Sequence, residues 1–240
     1  DIVLLQEVAK PSWNTYGHDV FGDVKAALAD YGNSFAADID TRFVPPPFRI
    51  QIGNGSFSRR AVLASELRGL PLEPEFEFGL FRKGYRMHIL RLDGPIGWVI
   101  INIHLSAFDD AADAVRERQL AAVMTFAQAE YAAGRHVIIG GDWNMRLAPT
   151  NFPHRTDPRF LFWVRDFPQA ALPQGWRLGV DPSRPTVRTA NQPYRPGENY
   201  TLIIDGFMVS PNVEIVSVQT RDLGFIHSDH NPTVLQARTR

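Results

Sequence analysis

The chain of 240 residues contains no cysteine, so disulfides and thiolate metal sites are excluded. It has no run of about 18 apolar residues, so no transmembrane helix is expected. No HExxH run occurs either, and with cysteine absent a closed zinc site has no ligand set. Lysine is scarce: Lys10, Lys25 and Lys83 are the only ones, and the other cations are arginines. The formal charge of −1 gives no global field to draw in a polyanion, so one would have to meet a local patch. Arginine suits forked binding of phosphate or carboxylate, although a coding bias would look the same. What remains is ordinary for a globular protein, with 44% hydrophobic and 21% charged residues. A soluble protein of unassigned compartment is expected. The composition is compatible with a bacterial source, and no protein partner can be inferred.

Several short apolar runs end in polar residues. Ile2 to Leu5 reads as a buried strand closing on Gln6 and Glu7. A hairpin is expected from Tyr85 to Leu92 and Gly97 to Leu105, its second arm ending at His104. Val137 to Ile139 is too short for a helix core; it runs into Gly140 and Gly141, then presents Asp142 and Asn144. Two residues apart on an extended chain, these two side chains share one face. A carboxylate beside an amide there could hold a metal or a phosphate oxygen; the alternative is a plain β-turn. Thr201 to Asp205 reads as a strand ending in an acid, and Asp229 with His230 precedes a last strand from Thr233. A lone histidine at a strand end is more often a satisfied core residue than a ligand.

Two helices are expected, one over about Val20–Tyr31 stopped by Gly32 and Asn33, and a clear alanine-rich one over Ala111–Ala133 closed by Gly134. Arg116, Glu117 and Arg118 read as its solvated face. Phe43 to Ser58, with three prolines and Gly53-Asn54-Gly55, reads as a loop, and Arg60–Ser65 as a strand. Arg146 to Asn199 is expected to be largely irregular, with a short helix near Phe160–Phe167. One domain over residues 1–240 is expected.

Five polar strand ends in one chain could gather carboxylates near a hard cation and set an Asp–His pair to polarise a water. In order, Leu5-Gln6-Glu7, Asn102-Ile103-His104, Gly140-Gly141-Asp142-Trp143-Asn144, Ile204-Asp205 and Ser228-Asp229-His230-Asn231-Pro232 resemble the motifs of the endonuclease/exonuclease/phosphatase superfamily. That group includes DNase I-like nucleases, abasic-site endonucleases, neutral sphingomyelinases and inositol polyphosphate 5-phosphatases. The resemblance implies an α/β (α+β) fold, a four-layer α/β/β/α sandwich of two packed, mainly antiparallel sheets. It also implies Mg²⁺ or Mn²⁺ as cofactor and a phosphate ester as substrate, DNA or RNA among the candidates. By the same resemblance Glu7 would bind the metal, with Asp229 in or beside its shell. Asp142 and Asn144 would orient the attacking water and hold the phosphate. His230, oriented by Asp205, would contact the scissile phosphate or act as acid/base. His104 matches a position that is tyrosine in the abasic-site endonucleases, which tilts the reading away from DNA repair. The superfamily usually begins with an asparagine-bearing strand and a helix before the LQE strand; neither is present here, so a longer parent protein is expected.

The expected activity is metal-assisted, in-line attack of water on a phosphodiester. Its alternatives are a phosphomonoesterase, a phospholipid or inositol-phosphate hydrolase of the same fold, or a catalytically silent binding module. Substrate choice would lie in Phe43–Ser58 and Arg146–Asn199. Arg146, Arg188 and Arg195 are candidate phosphate contacts, the alternative being ordinary surface arginines. Trp143, Tyr194 and Tyr200 could stack on a base or simply pack.

Overall fold

A computed structural model describes residues 1–41, 44–73, 83–94, 97–107 and 114–240. The chain divides into two compact units, 1–141 and 142–240.

The first unit is built in four layers. Strands β1 (Ile2–Ala9), β2 (Gly32–Asp40) and β3 (Gln51–Ser58) form one antiparallel sheet in the order β1-β3-β2. Strands β4 (Val62–Gly69), β5 (Arg86–Leu92), β6 (Trp98–His104) and β7 (His136–Asp142) follow one another in a second sheet, β7 reaching the unit boundary. Leu90, Leu92 and Ile100 are buried between the sheets against Ile2, Leu4, Val62, Trp98 and Ile138. Each such side chain taken fully from water contributes roughly 1.5–3 kcal/mol. Because strand side chains alternate, Arg91 points to the other face, where its guanidinium forms a fork with Glu130 of helix α2 (Val115–Ala132). Gln119 of the same helix accepts from the Ser106 amide. On the opposite outer face, Phe21 of helix α1 (Val20–Ala27) packs against Phe35 and Phe57, with ring centroids 5.2 and 5.4 Å apart.

Four readings are corrected here. The first helix ends at Ala27, and residues 32–40 form β2. The segment expected as a loop before Ser58 contains β3, the middle strand of its sheet. Its glycines mark close backbone approach, because a Cβ on Gly53 would lie 1.9 Å from the Ala36 carbonyl oxygen. One of its inward polar residues is tied across the layer: Ser56, with Ser34 and Ser65, hydrogen-bonds His88. Arg116 is not on a solvated face; it is 1% exposed and donates to the Ala107 carbonyl. The helix near residue 160 is a single 3₁₀ turn, Pro158–Leu161. The middle of the Asp93–Gly97 hairpin turn, the start of the expected alanine-rich helix and part of the Pro71–Glu75 connection lie outside the described residues.

In the second unit, β8 (Arg177–Gly179) pairs antiparallel with β11 (Asp205–Val209), and β9 (Val187–Arg188) with β10 (Thr201–Leu202). β12 (Val213–Thr220) pairs antiparallel with β13 (Thr233–Thr239). Asp205 opens β11 instead of closing the strand before it. Val187, Leu202 and Ile204 form the core with Trp163, Val164 and Tyr200.

Candidate active site

In the second unit the Asp142–Asn144 turn is closed by a hydrogen bond from the Asn144 amide to Asp142 Oδ1, 2.7 Å. Asn144 sits at φ 50°, a left-handed conformation that asparagine tolerates better than most residues. Between them Trp143 is fully buried; its amide donates to the Ile204 carbonyl and its indole to that of Gly206. The aromatic side chain therefore anchors the turn and is not available to stack on a base. Tyr194 and Tyr200 also pack, edge-on to Phe225 and His154.

Thr186 holds the acid that faces this turn. Its buried hydroxyl accepts from the amides of both Ile204 and Asp205, 3.0 Å each. The Asn231 amide donates to the Thr186 carbonyl, and Val187 bridges His230, so one short segment fixes both Asp205 and His230. The buried Asn231 side chain accepts from the Leu223 amide and donates to Pro185, and Ser228 accepts from the His230 amide. Thr186 acts through backbone contacts, which no residue spacing signals, whereas Asn231 stands in the Ser228–Pro232 motif without a role read from it.

The result is a compact triad. His230 Nδ1 lies 2.8 Å from Asp205 Oδ2, while Nε2 lies 4.0 Å from Asp142 Oδ2. One ligand atom from each of Asp142, Asp205 and His230 falls within 4.8 Å of the others. Burial opposes charge on the imidazole, but the adjacent Asp205 carboxylate, aided by Asp142 and Asp229, outweighs it and pushes the pKa up to about 10. This shift favours the imidazolium, with Asp205 fixing the ring through Nδ1 and Nε2 facing Asp142.

Asp229 stands beside the triad. Its carboxylate is exposed, and its main-chain oxygen accepts from the Arg188 amide. Arg188 therefore lies on the strand next to His230, with a buried Nε that has no hydrogen-bond partner among the described residues. Arg146 is committed elsewhere, to an ion pair with Asp166. Arg195 faces Glu198 at 3.7 Å.

In the first unit, Glu7 occupies the register break of β1 between Leu5 and Val8, at φ 54°. The break turns its carboxylate outward, 70% exposed, where Oε1 lies 3.9 Å from both Lys83 Nζ and His104 Nε2. Asn102 sets this geometry by accepting from Gln6 and donating to the Leu5 and Gly55 carbonyls, which ties β6 to β1 and β3. Gly141 completes it: at φ 139°, a Cβ there would meet the Ile103 carbonyl oxygen at 2.1 Å. Glu7, His104, Lys83 and Asp38 line a pocket of about 150 Å³ with Ile39, Ile52 and Gly53. Lys83 and Asp38 belong to no motif in the sequence.

Both units present oxygen-rich donor sets, the chemistry a hard divalent cation prefers. In the second unit it is the Asp142–Asp205–His230 cluster. In the first, Asp38 is buried, and its Oδ1 has no hydrogen-bond partner among the described residues.

A family model described as the endonuclease/exonuclease/phosphatase family matches residues 1–230. No curated protein matches the sequence. Among solved structures, an endonuclease/exonuclease/phosphatase from Beutenbergia cavernae superposes with a TM-score of 0.67 at 20% identity, over 100% of this chain and 62% of that one. The chain thus spans less than two thirds of the length of that structure. Truncated Caenorhabditis elegans TDP2 gives 0.62 at 16% identity, covering 97% of this chain and 82% of that chain. The 3' phosphatase NExo from Neisseria bound to a product DNA hairpin gives 0.62 at 18%, covering 98% and 88%. These likenesses establish the DNase I-like fold.

Proposed function

Because the chain belongs to the endonuclease/exonuclease/phosphatase family, we propose that it is a divalent-metal-dependent hydrolase of phosphate esters. The observation that carries this reading is the Asp142–Asp205–His230 cluster, with His230 clamped at 2.8 Å by Asp205 and its other nitrogen turned to Asp142. We further propose that residues 1–240 work as one domain, since the family match runs across the boundary between the two units.

A phosphate ester is a poor electrophile because its negative oxygens repel the nucleophile. Mg²⁺ or Mn²⁺, when bound, would neutralise part of that charge. The carboxylates proposed to hold the ion are Glu7 and Asp229. Asp142 orients a water and accepts its proton as the new P–O bond forms. Asn144, fixed by the turn, donates its side-chain amide to a phosphate oxygen. The His230 imidazolium donates from Nε2 to a non-bridging oxygen, and as the bond to the leaving oxygen breaks, that oxygen takes up a proton from solvent and departs as the alcohol. Asp205 keeps that ring charged and oriented. His104 and Arg188 are proposed as further phosphate contacts. Arg146 would have to leave Asp166 to serve as one, so it is the weaker candidate.

Nucleic acid is the proposed substrate class, supported by the DNA hairpin in the NExo structure. The test is a panel of plasmid DNA, RNA oligonucleotides, sphingomyelin and inositol phosphates, assayed with Mg²⁺ or Mn²⁺ and with EDTA. Turnover confined to the lipid or inositol esters would overturn the substrate class, and undiminished turnover in EDTA would overturn the metal.

A further inference from the structure

We propose that Asp38 is a second acid of the cation pocket around Glu7, and that Lys83 is the pocket's resident counter-ion when no metal is bound. The inference rests on the reading of Glu7 as a metal-binding residue and adds two residues to it.

The pairing of β2 with β3 breaks between Ala37 and Ile39, so Asp38 is the extra residue of a bulge. Its main-chain oxygen accepts from the Gly84 amide at 2.6 Å, and its carboxyl is hydrogen-bonded by the Arg86 backbone. These contacts bring the chain from Lys83 to Arg86 against the bulge and set Lys83 beside the acid. Asp38 lines the pocket and is 5% exposed, and its Oδ1 has no hydrogen-bond partner among the described residues.

A buried carboxyl oxygen without a donor is costly to keep. Burial pushes the Asp38 pKa up to about 7; Lys83 and Arg86 pull against that, and Glu7 adds to it. A ligand that supplies positive charge to Oδ1 would relieve the cost. The pocket's 150 Å³ leaves room for an ion with water, each water occupying about 30 Å³. Lys83 is the cation already present. Its Nζ lies 3.9 Å from Glu7 Oε1 and 4.8 Å from the Tyr85 ring centroid. At 3.9 Å it balances the charge of Glu7 without a direct hydrogen bond. An arriving divalent ion must share the acids with this ammonium or displace it, so Lys83 lowers metal affinity while stabilising the metal-free state.

The experiment is a Mn²⁺ titration of the full chain, read as paramagnetic broadening of the His104 ring-proton signals. It compares the wild type with Glu7→Gln, Asp38→Asn and Lys83→Gln, each checked by circular dichroism. The Glu7-dependent broadening should shift to at least about 10-fold higher Mn²⁺ in Asp38→Asn, about 1.4 kcal/mol. It should shift to several-fold lower Mn²⁺ in Lys83→Gln, whose metal-free Tm should also fall. Asp38→Ser serves as the second variant if the amide misfolds. A midpoint unmoved in both Asp38 variants overturns the role of Asp38. Unchanged or weaker binding in Lys83→Gln overturns the role of Lys83. If Glu7→Gln itself leaves the titration unmoved, the underlying reading of Glu7 fails instead.

Discussion

Asp205→Asn isolates the charge that fixes His230. The amide has the carboxylate's shape and can still take the Nδ1–H bond now 2.8 Å long, so the substitution removes charge more than contact. In the wild type the imidazole is raised from the ordinary 6.5 to about 10, with Asp205 the largest source of attraction against burial. At about 1.4 kcal/mol per pKa unit the full shift corresponds to about 5 kcal/mol of preference for the imidazolium. The ring is 31% exposed, so solvent screening reduces its worth to stability well below that figure. The sign follows from a raised folded-state pKa: this stabilisation is complete below pH 6.5 and is lost as pH rises toward about 10. The assay is an NMR titration of the His230 ring in metal-free protein, with urea unfolding at pH 7 and pH 10. In Asp205→Asn the midpoint should fall well back toward 6.5, and the stability gap to wild type should shrink at pH 10. Turnover should drop by a factor on the order of 10²–10³, the usual cost of losing a positioned donor to developing charge. A midpoint that stays near 10 would refute the assignment of Asp205 as the source of the charge.

His88 carries the opposite sign. Burial lowers its pKa to about 4, so stability present above pH 6.5 should be lost as pH falls through that range, by up to about 3 kcal/mol. Urea midpoints that do not fall between pH 7 and pH 4.5 would contradict this. Gly141→Ala places a methyl 2.1 Å from a carbonyl oxygen at a positive φ and should cost more than about 2 kcal/mol in thermal unfolding. A near-neutral Tm would mean the β6–β7 backbone yields easily. Adding Mg²⁺ to EDTA-treated protein at about 100 times its Kd should stabilise by about 2.7 kcal/mol, and an unmoved Tm would argue against a resident metal.

The candidate site was legible where a motif residue ends an apolar strand. Asp142, Asn144 and Asp205 lie where short apolar runs stop, Glu7 and His104 follow the same pattern, and His230 stands just before the last strand. The α2 helix was legible from its length and its alanine and other strong helix formers, and the β5–β6 hairpin from two apolar runs. β3 was not: Gln51-Ile52-Gly53-Asn54-Gly55-Ser56 has the composition of a loop, and only its place between two strands makes those residues inward-facing. Arg116 misled for a related reason, since its burial depends on a carbonyl acceptor nine residues earlier in the chain. Asp38 and Lys83 depend on a one-residue bulge, which shifts side chains between faces and leaves no mark in composition.

The central claim is that His230, held by Asp205 and facing Asp142, drives phosphate-ester hydrolysis. The most direct measurement is hydrolysis of bis-p-nitrophenyl phosphate with Mn²⁺ by wild type and His230→Ala, both confirmed folded. The account predicts a loss on the order of 10²–10⁴-fold in kcat with EDTA abolishing wild-type turnover. Equal turnover by the two proteins would contradict it.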